Sequence, residues 1–259
     1  MKFGSVLICL LGAHAARAGE CPQPTSEIAT DRPDVTNSSL VVPSGSFQSE
    51  NGINTSGQHA GSGFDGTNSR LRFGVAPCLE LLVDLPSYVG RFSGNLDTGF
   101  TNVTPAVKWQ MSALPDPWSL SVVAGAGLPT GSPDITGYGL QPYLQFPWAR
   151  ELGNGWGVSG MLTSFFRPAD LSNRQTTETT FVIEKKITDR MSLFAEYVGD
   201  FPSRGPGIDL INMGGGYLLS RTQQVDFHVA FGLNRNSPNT IVGFGYSWRL
   251  DRVLGASAR

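Results

Sequence analysis

Past residue 18 this sequence offers little to a catalyst: two histidines, His59 and His228, and two cysteines, Cys21 and Cys78. His228 follows Asp226 by two positions in the run Gln224-Val225-Asp226-Phe227-His228, so an extended strand puts both on one face. A serine from a neighbouring strand would complete a hydrolase-like trio, yet parity turns that face inward, away from a lipid substrate. The histidines and cysteines show no metal-ligand spacing. Gly125-Ala126-Gly127-Leu128-Pro129-Thr130-Gly131 lacks the Lys-Ser/Thr ending of a phosphate loop. No catalytic residue, metal or cofactor is expected.

The chemistry on offer is electrostatic. Charged residues make up 15% of the chain, and strand parity sends many of them to one face. These are Glu50, Arg70, Arg72, Glu80, Asp84, Lys108, Arg167, Glu178, Glu184, Lys186, Glu196, Asp200, Asp226, His228 and Arg249. Both signs are present in similar number, so they are expected to pair and to constrict whatever space they line. A polar, irregular stretch from Gly19 to Ser46 precedes them and carries Asp31, Arg32 and Asp34. Those three could pair with the inward charges as a plug; a leader hanging free is the other reading.

Alternating apolar and polar residues mark the elements that position these groups. Val242, Phe244, Tyr246, Trp248 and Leu250 share one face, with Gly243, Gly245, Ser247 and Arg249 on the other. About twelve strands follow from this period of two, near 47–56, 69–76, 78–86, 98–112, 118–128, 139–150, 155–167, 176–187, 191–200, 208–219, 224–234 and 239–250. Most have about ten residues, the length a tilted strand needs to cross a bilayer (~9–11) rather than the ~5–6 usual in globular sheets. The links alternate between long and short. Segregated loops of this kind belong to an up-and-down transmembrane barrel, and a Greek-key sandwich gives no reason for them. Trp109, Trp118, Trp148, Trp156, Tyr217, Tyr246 and Trp248 fall on the outward face near strand ends, where interfacial girdles form.

Composition agrees. With 32 glycines and 17 prolines the chain is a poor helical bundle or coiled coil, and 40% hydrophobic residues exclude disorder throughout. Lys2, the apolar run Val6 to Leu11 and Ala16-Arg17-Ala18 read as a cleaved secretory signal peptide. Its removal takes two bases and no acid, moving the net charge from −2 to −4, so no nucleic-acid partner is expected. The expected organisation is a signal peptide over 1–18, a periplasmic or lumen-inserted segment over 19–46, a barrel over 47–250 and a tail over 251–259. Cys21 and Cys78 either form one disulfide or stay unpaired.

Several motifs carry a family resemblance. Thr30-Asp31-Arg32-Pro33-Asp34-Val35-Thr36, then Ser46-Phe47-Gln48-Ser49-Glu50, resembles the opening of the "MetA-pathway of phenol degradation" proteins. Val107-Lys108-Trp109, Gly127-Leu128-Pro129-Thr130-Gly131, Gln224-Val225-Asp226-Phe227, Gly232-Leu233-Asn234-Arg235 and Val242-Gly243-Phe244-Gly245-Tyr246-Ser247 extend it over nearly all of the chain beyond residue 18. The resemblance implies an outer-membrane barrel associated with aromatic degradation, passing small hydrophobic compounds.

The reading is therefore an all-β, antiparallel barrel of the bacterial outer membrane, acting as a passive channel for small molecules. Outer-membrane lipid and the barrel-assembly machinery are its expected partners, and the permeant is unnamed. A structural or adhesive barrel that conducts nothing is the alternative, and a lipid hydrolase a third.

Overall fold

The structure, a computed structural model, describes residues 26–111, 117–166 and 175–253. The signal peptide, Cys21 and Arg167 lie outside these. Fifteen strands are described: β1 (Phe47–Gln58), β2 (Gly61–Gly66), β3 (Arg70–Ala76), β4 (Leu79–Asp84), β5 (Tyr88–Gly94), β6 (Gly99–Phe100), β7 (Thr104–Gln110), β8 (Trp118–Gly127), β9 (Gln141–Gly153), β10 (Trp156–Phe166), β11 (Gln175–Lys186), β12 (Met191–Pro202), β13 (Ile208–Ser220), β14 (Gln223–Gly232) and β15 (Thr240–Leu250). A one-turn helix, α1 (Pro133–Thr136), sits in the β8–β9 connection.

Every described pairing is antiparallel between neighbours, and β15 pairs back onto β1 over eleven residues, from Phe47↔Leu250 to Gly57↔Thr240. That pairing closes the sheet. β2 with β3, β4 with β5 and β6 with β7 each occupy one position in the wall, because β1 pairs with β3 through its first residues and with β2 through its last. The wall is thus a twelve-stranded barrel.

The outer end differs from the expected loops. The expected loops 57–68 and 87–97 hold strand over 57–58, 61–66 and 88–94, with a turn at 59–60, and the expected strand 98–112 is split. Gly61, Gly63 and Gly66 give this stretch no apolar alternation to read, and its backbone is ordered by β1 and β5 on either side. The interruptions at 67–69, 85–87 and 101–103 stand side by side, bridged by Leu85 N–H donating to Ser69 O and Thr101 N–H to Ser87 O, both at 2.9 Å.

Burial is inverted relative to a water-soluble protein. Inside, Glu50, Arg72, Glu80, Lys108 and Glu196 have no exposed surface, while outward Leu162, Phe227 and Phe244 are 47%, 43% and 56% exposed. An apolar band of this extent is not stable in water and requires lipid. Trp109, Trp118, Trp156, Tyr217 and Tyr246 face outward in the half nearer the short turns. There Arg150 lies 4.9 Å from the Trp118 ring centre and Lys185 4.8 Å from that of Trp156, cations held at interface height by aromatic faces.

Candidate functional site: the barrel interior

Four adjacent wall positions bring the first cluster together. β1 contributes Glu50, β3 Arg70 and Arg72, β4 Glu80 and Asp84, and β7 Lys108, all inward because alternate residues of a strand share a face. Register sets Arg70 opposite Asp84 and Glu80 opposite Lys108. Arg72 joins Glu50 and Glu80 at 2.9 Å each, and Lys108 lies 3.4 Å from Glu80. Arg70 grips Asp84 with two parallel bonds, Nε to Oδ1 at 2.6 Å and Nη2 to Oδ2 at 3.0 Å.

Into this cluster comes a carboxylate from outside the wall. Asp31 lies 3.0 Å from Arg70, 3.2 Å from Arg72 and 3.1 Å from Lys108. Burial alone would raise its pKa; Arg72, then Lys108 and Arg70, more than reverse this and hold the carboxyl well below the usual range.

Asp31 is one residue of an irregular segment, 28–42, that runs through the interior. An irregular chain cannot satisfy its own N–H groups, and here the wall's acceptors do so. Glu50 takes the Asp31 N–H at 2.8 Å, Glu196 those of Val35 and Thr36 at 2.9 Å each, Gln110 that of Val41 at 3.1 Å and Glu80 that of Val42 at 2.6 Å. Side chains complete the seating. Asn37 donates to Gln145 at 2.9 Å and accepts from Arg70 at 2.8 Å, while Asn212 donates to Glu196 at 2.9 Å. At the short-turn end Arg249 donates to the carbonyls of Glu27 and Ser26 at 3.0 and 3.2 Å, and the Ile28 N–H donates to Arg221 O at 2.7 Å.

Arg32 turns the other way, past β1 to the adjoining β15 and β14. Its Nη2 reaches Asp226 at 3.4 Å and the Phe244 carbonyl at 3.3 Å. The guanidinium lies against Gly52 of β1 and Gly245 of β15, where any side chain would collide with it. Asp34, between these anchors, behaves oppositely to Asp31. Burial and then the nearby Glu196 carboxylate push its pKa well above the ordinary value.

The hydrolase-like trio is not assembled. Asp226 is turned to Arg32, and the His228 ring nitrogens face the side-chain oxygens of Asn212 and Asn54 at 3.0 and 3.1 Å, with no serine between them. Glu184 and Lys186 lie at the mouth on the short-turn side rather than at a constriction; Lys186 meets Glu27 at 3.7 Å with both side chains nearly half exposed. Cys78, in the β3–β4 turn, is disulfide-bonded. Charge parity found the ionised groups but passed over Gln110 and Gln145, which bond the segment directly, and Asn212, which holds Glu196 in place for it. They share the inward parity and carry no charge to announce it.

The segment divides the interior. An outer chamber of about 840 Å³ opens between α1, the interrupted strands and β9–β11, and an inner one of about 550 Å³ faces the short turns. Arg32 and Asn37 line both.

With this geometry in hand, the family model described as "Putative MetA-pathway of phenol degradation" matches residues 30–250, segment and barrel alike. The chain belongs to this family. No curated protein matches the sequence. Among solved structures, the COG4313 outer membrane channel from Pseudomonas putida F1 is similar with a TM-score of 0.58 at 11% identity, covering 81% of this chain and 97% of that one. The KdgM porin in complex with disordered oligogalacturonate is similar at 0.54 and 9% identity, covering 78% and 98%, and KdgM porin by itself at 0.51 and 11%. At these identities the likeness is one of fold.

Proposed function

We propose that this family member is a passive channel of the bacterial outer membrane for small molecules, kept closed by residues 28–42. Its apolar exterior suits lipid, and its polar interior forms two chambers facing opposite ends. One observation carries the reading: the segment that separates the chambers is held by side chains from β1, β3, β4, β7, β9, β12 and β14. So many anchors would be superfluous for a leader with no place in the lumen. The fold likeness to an outer membrane channel and a porin supports the channel class, and the family description favours small aromatic permeants. Glu50, Arg70, Arg72, Glu80 and Lys108 line the constriction, and Asp31 and Arg32 lock the segment into it.

Planar-bilayer recordings test this. The full chain should conduct in small, infrequent steps, and a variant lacking residues 20–45 in larger, sustained ones. Equal conductance would remove the plug, and silence from both would favour a structural barrel.

A further inference from the structure

The outer chamber carries a charge asymmetry that the closed channel does not use. Its cations are already engaged. Arg70 spends its donors on Asp84, Asp31 and Asn37, and Arg32 reaches Asp226 and the Phe244 carbonyl. The carboxylates of its floor, Asp31, Glu50 and Asp84, are matched in turn by Arg70, Arg72 and Lys108. Glu178 on β11 has an acid, not a cation, as its partner: its carboxyl meets that of Asp200 across β11 and β12. It lines the chamber, no lysine or arginine among the described residues lies within ion-pairing distance of it, and a second acid, Asp200, is its register partner on β12.

Beside it the wall turns aromatic. Tyr143 and Phe165, paired across β9 and β10 with ring centres 6.0 Å apart, line the same chamber one register step towards the outer end. Ser87, which lines the same chamber, is 4% exposed and its Oγ has no hydrogen-bond partner among the described residues. A buried hydroxyl without a partner is unfavourable, and a ligand donor or acceptor would relieve it.

The geometry points to the outer chamber as a binding site for a small aromatic ring bearing a protonated amine. The ring lies against Tyr143 and Phe165, and the ammonium is directed to Glu178, which both ion pairing and the negative ring faces favour. An aromatic carboxylate of the same size meets Glu178 with no cation among the described residues lining the chamber that is not already ion-paired to offset it. This deepens the channel reading by naming the charge class of the permeant, and it rests on that reading for its transport meaning only.

Titration calorimetry on the full chain in an uncharged detergent, with benzylammonium, benzyl alcohol and benzoate as probes, tests the site. Affinity should fall in that order. Glu178→Gln should weaken benzylammonium on the order of ten-fold and leave benzyl alcohol unchanged, the size of one lost charge-assisted bond. Phe165→Leu should weaken both, and heat-modifiable gel mobility shows that each variant is folded. Benzoate binding as tightly as benzylammonium, or a folded Glu178→Gln that binds benzylammonium like the parent, would overturn the site. Because calorimetry needs no conduction, these outcomes stand apart from the bilayer result: binding without conductance retires the channel, and conductance without charge preference retires the site.

Discussion

At the scale of single residues, the interior is stable only as a set. Arg72 faces Glu50, Glu80 and Asp31 at once, all four side chains at most 1% exposed. Arg72→Ala leaves three buried carboxylates sharing the remaining cations and should cost ~3–5 kcal/mol, read as a lower guanidinium midpoint for the barrel. Asp31 and Asp34 are expected to respond oppositely to pH. A lowered carboxyl lends its stabilisation above the ordinary carboxylate range and loses it only as pH falls through the depressed value, so Asp31 holds the segment through mild acid. A raised carboxyl favours the docked state at low pH, and docking weakens as pH rises through the ordinary carboxylate range towards the raised value. Asp34→Asn removes that cost and should reduce opening events at neutral pH in bilayer recordings, while Asp31→Asn should increase them at every pH.

At the scale of elements, the barrel strands were far more legible than the segment inside them. The run from Val242 to Leu250 declares its two faces because lipid demands an apolar residue at each outward position. The parity that placed Glu50, Arg72 and Glu196 inward needs no tertiary knowledge. The segment is different: its N–H groups find partners on strands up to 161 residues away in sequence, as Val35 does on Glu196, and no local pattern encodes a partner so distant. The β2–β5 flap was hidden for another reason, since glycines leave a strand nothing to alternate. Gly74 shows how an element can depend on an absent side chain. A Cβ there would overlap the carbonyls of Val42 and Pro43, where the segment leaves the interior. Gly74→Val is therefore expected to dislodge the segment, seen as thermolysin cleavage within Leu40-Val41-Val42 in a barrel that keeps its heat-modifiable mobility.

For the whole molecule, the solvent on each side of the wall decides the effect of a charge. Leu162 and Thr163 are neighbours on β10; the first is 47% exposed to the outside and the second fully buried within. Leu162→Arg puts a cation near the middle of the apolar band and should cost ~2–4 kcal/mol, measured as a shifted folding equilibrium in lipid vesicles. The closing pair β1 and β15 adds a consequence for how the molecule is made. Arg32 rests on a glycine from each partner, Gly52 and Gly245, and bonds to the strands beside them. Those glycines are juxtaposed only once the first and last strands have met. The thread that leads into β1 therefore finds its final seat only after the ring has closed. Docking then follows sealing in biogenesis, and Arg32, lying against a glycine of each lip, settles last.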